Sequence, residues 1–137
     1  MLALAAAAGC APRPALPAVV DAGARYTTAQ VEEAANATPL GAAASLTVEQ
    51  APAQRQSALA GLRRTGPVGV SAADLLTRMF PASTAAVPVH IEHATVDGID
   101  ALIVVEAAQG KAGTLTTRRV WILDDRTGAV IDSASFR

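Results

Sequence analysis

The chain has 137 residues and carries 11 Lys and Arg against 12 Asp and Glu, a net charge of −1 with the basic residues scattered. That length holds one domain, and the missing basic cluster excludes a nucleic-acid-binding face. Hydrophobic residues reach 51%, but about a quarter of the chain is alanine and only 3% is aromatic, so the core falls to Val, Ile and Leu, which concentrate after residue 70.

The chain opens Met1-Leu2-Ala3-Leu4-Ala5-Ala6-Ala7-Ala8-Gly9-Cys10, and Cys10 is its single cysteine. No internal disulfide is therefore available. The small residues Ala7-Ala8-Gly9 leading into Cys10 resemble the lipobox that ends a bacterial lipoprotein signal peptide. Alanine stands at Ala7 where leucine is favoured, and no Lys or Arg precedes the alanine run. The resemblance implies that residues 1–9 are the remnant of a signal peptide and that Cys10 becomes the lipid-modified first residue. Acylation there supplies the two-chain anchoring that a stable membrane attachment needs. A run this short does not span a bilayer, which takes about 20 residues. The expectation is an anchored protein on the extracytoplasmic face of the cell membrane. Pro12, Pro14 and Pro17 stop any helix from continuing, so residues 10–25 are expected to form a tether and 26–137 a single small domain.

Three helices are expected next. Thr27-Thr28-Ala29-Gln30 spells a capping box and starts a short helix that Pro39-Leu40-Gly41 ends. A second is expected over 50–64, with Pro52 tolerated in its first turn. Ala58, Leu59 and Leu62 line its apolar face, while Gln54, Arg55, Arg63 and Arg64 stay wet. Gly66-Pro67-Val68-Gly69 breaks the chain. Ser71 then caps a third helix in which Ala72, Leu75, Leu76 and Met79 recur at helical spacing.

Strands follow Pro81. Val87, Val89 and Ile91 alternate along the first. Asp97-Gly98 is a turn dipeptide, and 101–106 reads as a strand covered on both faces. Thr116 to Leu123 sets Arg119, Trp121 and Leu123 opposite Arg118, Val120 and Ile122. Asp124-Asp125-Arg126-Thr127-Gly128 turns into a fourth strand over 129–133. The fold class is α+β: two to three N-terminal helices, then a four-stranded antiparallel meander packed on a helix.

The segment from Ser71 to Ser133, under half the chain, resembles small export-associated bacterial domains of the PepSY kind. Those place a helix before a short antiparallel sheet and close with an Asp-x-x-Thr-Gly hairpin, read here as Asp124 to Gly128 ahead of Val130-Ile131. The resemblance implies a role in protease inhibition or envelope regulation. The whole chain resembles uncharacterised lipoproteins of high-GC Gram-positive bacteria, which implies an address and no activity.

Candidate chemistry is sparse. His90-Ile91-Glu92-His93 has zinc-ligand residue types, but alternation puts His90 and Glu92 on one face of a strand and His93 on the other. No Gly-x-Ser-x-Gly elbow is present, Asp124-Asp125 offers too few carboxylates for a calcium loop, and no glycine-rich phosphate loop occurs. No catalytic residue, metal or cofactor is expected. Trp121 is expected to pack on the third helix near Leu76 and Phe80. Together with Arg119 on its own face it is also the candidate partner-binding pair, since aromatics and arginines dominate hot spots. The leading expectation is a non-enzymatic module that binds a protein or peptide. The alternatives are a carrier of a small apolar ligand or lipid and, last, a minimal hydrolase using His90 and Glu92.

Overall fold

A computed structural model describes residues 17–137. The expected signal remnant, Cys10 and the first part of the tether lie outside the described residues. The class is α+β, with three α-helices and a six-stranded mixed sheet among the described residues. Strands β1 (Ala18–Val20) and β2 (Arg25–Tyr26) precede helices α1 (Thr28–Asn36), α2 (Ala51–Leu62) and α3 (Pro67–Met79). Strands β3 (Ala86–Val96), β4 (Ile99–Ala108), β5 (Thr117–Asp124) and β6 (Val130–Phe136) follow. The strand order is β1-β3-β4-β5-β6, with β2 also pairing β3.

Strands β3 to β6 run antiparallel in chain order, but the sheet is larger than the expected four-stranded meander. Both β1 and β2 add to β3 in parallel, Val19 opposite Ile91 and Tyr26 opposite Val96. Residues 18–20 and 25–26 are therefore strand, although 10–25 was expected to form a tether. Each of these strands is too short to stand alone and depends on the exposed side of β3 for its hydrogen bonds.

Local chemistry explains the boundaries. At α1, Thr27 Oγ1 accepts from Gln30 N at 3.2 Å while Thr27 N donates to Gln30 Oε1 at 2.9 Å. Thr28 Oγ1 also donates to Asp97 Oδ2 at 2.6 Å, which ties the helix start to the β3–β4 turn. In that turn Asp97 and Gly98 both have positive φ, 48° and 81°, the backbone that a two-residue hairpin with right-handed twist requires. Helix α3 begins four residues before Ser71. Gly66 is its N-cap and Pro67 occupies its first turn, a place where a missing N–H costs nothing.

Both faces of the central strands are covered. On one face Ile91, Leu102, Val104 and Leu123 pack against Leu59 and Leu62 of α2 and Leu75 and Leu76 of α3. On the other, Val96, Ile103, Val105 and Ile122 pack beneath Val31 and Ala35 of α1. A third cluster, including Leu40, Ala51, Val87 and Leu115, closes one end of the molecule. The β5–β6 hairpin tucks under α3. Gly128 has φ of 75°, and a Cβ there would meet Leu75 Cδ1 at 2.9 Å.

Candidate functional site

The structure separates the four-residue motif on β3 by face. Tyr26 Oη donates to Glu92 Oε2 at 2.8 Å, and His90 Nε2 lies 3.2 Å from Glu92 Oε1. Glu92 is buried, where a partly exposed residue was expected. The hydrogen bond to Glu92, with burial and the carboxylate charge behind it, raises the Tyr26 phenol above its ordinary pKa, so Tyr26 holds its proton. Glu92 has both oxygens engaged and functions as an internal acceptor. The cleft beside this cluster, beneath α1, encloses about 30 Å³, room for a couple of waters and not for an acyl chain.

His93 faces the other way. Its Nδ1 lies 3.1 Å from Asp21 Oδ1 and its Nε2 3.5 Å from Asp125 Oδ2, joining the β1–β2 connection to the β5–β6 hairpin. The three side chains line an open cleft of about 180 Å³ with Ser71. Among the described residues no three His, Cys, Asp or Glu side chains are placed to hold a metal ion. No helix of the described residues is long and apolar enough to cross a membrane.

One buried ion pair lies where no charge was expected. Arg55 of α2 meets Glu106 of β4, each 1% exposed. Arg55 Nη1 also donates to Ala86 O at 2.9 Å, and its guanidinium carbon sits 5.5 Å from the Phe80 ring centroid. Arg55 was expected to stay wet, but α2 has nearly equal polarity all round and its periodicity misplaces this side chain. The signal lay in β4, where Glu106 closes an otherwise apolar run and needs a partner once buried.

Trp121 packs on Phe80 with ring centroids 5.0 Å apart and donates Nε1–H to Glu106 Oε1 at 2.7 Å. It is half-buried at the margin of the α2–α3 core. Arg119 shares its face, because Arg119 pairs Ser135 and Trp121 pairs Ser133 across β6. Arg118, on the opposite face, donates Nε–H to Thr38 O at 2.6 Å.

Among the described residues strand β6 bounds the sheet on this side, and none of its seven residues is buried. Val130 is 47% and Ile131 36% exposed. A bulge opposite Ile122 and Leu123 sets them beside the hairpin. An edge strand presents unpaired N–H and C=O groups that can template another strand. The open edge, Arg119 and the exposed rim of Trp121 thus form one continuous surface.

Compared with family models, with curated proteins and with solved structures, the chain matches none.

Proposed function

We propose that this chain is a lipid-anchored, extracytoplasmic envelope protein, attached through Cys10, whose domain binds a protein or peptide along β6 and the adjoining face of Arg119 and Trp121. It does so without enzymatic chemistry. The lipobox-like Ala7-Ala8-Gly9-Cys10 supports the address. The observation that carries the binding role is the open β6 edge with Val130 and Ile131 exposed beside it, the arrangement that strand addition uses. The small volume beneath α1 favours this role over a lipid carrier. The satisfied state of Glu92 favours it over hydrolysis.

The test is site-specific photocrosslinking in intact cells. A crosslinker at Ser133 or Ser135 should give one discrete protein adduct, and one at Arg64 on the far side should give none. Adducts of equal yield from all three positions, or co-purifying lipid with no adduct, overturn the binding role. For the address, Cys10→Ser should abolish acyl labelling and release the protein from membranes. Unchanged fractionation refutes anchoring at that residue.

A further inference from the structure

Granted that β6 is a docking edge, we infer that its occupant is an extended segment of a partner protein bearing a carboxylate opposite Arg119 and apolar side chains opposite Trp121 and beside Val130. Arg119 joins no ion pair among the described residues. Its cross-strand neighbour on β4 is Glu106, but that carboxylate is committed, one oxygen to Arg55 and the other to Trp121. No charge of its own strands is left to neutralise Arg119.

Register supplies the spacing. Residues paired across strands share a face and side chains alternate, so a strand added outside β6 presents alternate residues over Ser135 and Ser133. Both serines are short and exposed. Two strand spacings, about 9.5 Å, separate β5 from the added strand. That gap is bridged when an extended arginine and a glutamate reach across Ser135 toward one another. One step along the same face, an apolar side chain crosses Ser133 to the rim of Trp121. A third falls beside Val130 and Ile131.

The charge along the edge reinforces this order. Lys111 and Arg137 line a cleft of about 520 Å³ at the Arg119 end of the sheet, whereas the hairpin at the other end carries Asp124 and Asp125 against Arg126 alone and is net negative. An acidic residue is welcome at the first end and repelled at the second. A second copy of the chain fits less well. Antiparallel self-pairing about Ser133 sets Ile131 opposite Ser135 and brings Arg119 no negative charge.

The full chain in detergent micelles, titrated with a synthetic peptide of glutamate, valine and isoleucine in that order separated by threonines, tests the inference through the amide shifts of β6. The glutamate peptide should bind about tenfold tighter than its lysine counterpart. Arg119→Glu should reverse the preference, and Arg119→Gln should abolish it while leaving the thermal midpoint unchanged. Equal binding of both peptides refutes the carboxylate and leaves the docking edge standing. Binding of neither peptide, with no adduct from Ser133 or Ser135 in cells, brings down the docking reading itself. Concentration-dependent dimerisation through β6 in place of peptide binding identifies a second copy as the occupant and overturns the inference.

Discussion

Strands β4 and β6 are separated only by β5, yet they answer to different constraints. Eight of the ten residues of β4 are buried, between α2 and α3 on one side and α1 on the other. Strand β6 buries none of its seven. Side chains in β4 are chosen by packing and by the need to satisfy one charge, Glu106. In β6 only Ala134 and Phe136 pack against the core, half-buried beneath α1, and the opposite face with Ser133 and Ser135 is left to be shaped by what docks on it. If that contrast is right, substitutions in the two strands should fall at opposite ends of the stability scale.

The largest effect should come from the partner of β4. Arg55→Met leaves Glu106 buried with only Trp121 to support it and should cost about 3–5 kcal/mol, read by urea denaturation. Replacing both members, Arg55→Met with Glu106→Leu, should recover most of that loss, because buried pairs exchange for apolar groups at little net cost. A single variant as stable as the parent would mean that the pair is not desolvated. Trp121→Phe probes the strand between. It keeps a ring against Phe80 but strips the N–H from Glu106, and should cost about 1–3 kcal/mol. A loss no larger than that of a surface substitution would place the Trp121 hydrogen bond outside the balance of forces.

In β6 the expectation reverses. Val130→Thr and Ile131→Thr should each change stability by about 0.5 kcal/mol or less. The same variants should weaken capture of the partner at Ser133 and Ser135. A large loss of stability with unaffected capture would make β6 a packing strand like β4 and erase the contrast.

How legible these strands were in the sequence follows the same division. Strands β3 to β6 announce themselves through alternation, Asp97-Gly98 and the Asp124–Gly128 turn, all signals confined to a few residues. Strands β1 and β2 do not, since Ala18-Val19-Val20 and Arg25-Tyr26 acquire strand geometry only from β3, about 70 residues later, and proline and alanine around them read as a tether. Gly66-Pro67 was ambiguous for a different reason. The dipeptide that breaks a helix in its middle opens one at its N-terminus. The shared face of Arg119 and Trp121 was readable from strand period alone. The freedom of Arg119 was not, because it depends on Glu106 being taken from two directions by residues far apart in sequence.

The smallest effect concerns how β6 meets α1. Asp132 of β6 faces that helix, and among the described residues no donor reaches its shielded Oδ2. Glu32 of α1 lies alongside. The hydrogen bond it makes to Asp132 when protonated, helped by desolvation and by the neighbouring negative charge, raises the Glu32 pKa above its ordinary value of 4.5. A carboxyl that binds its proton more tightly when folded stabilises the fold at low pH, and that contribution fades as pH rises through its folded pKa. Asp124 runs the other way: amide hydrogen bonds from Arg126 and Thr127 lower its pKa below 3.8, so its contribution persists throughout the range above that value. Glu32→Gln carries the donor permanently. It should melt higher than the parent at pH 7, and the gap should close as pH falls toward 4.5. A gap that is constant with pH would show that Glu32 and Asp132 share no proton, leaving α1 seated on β6 by its apolar contacts alone.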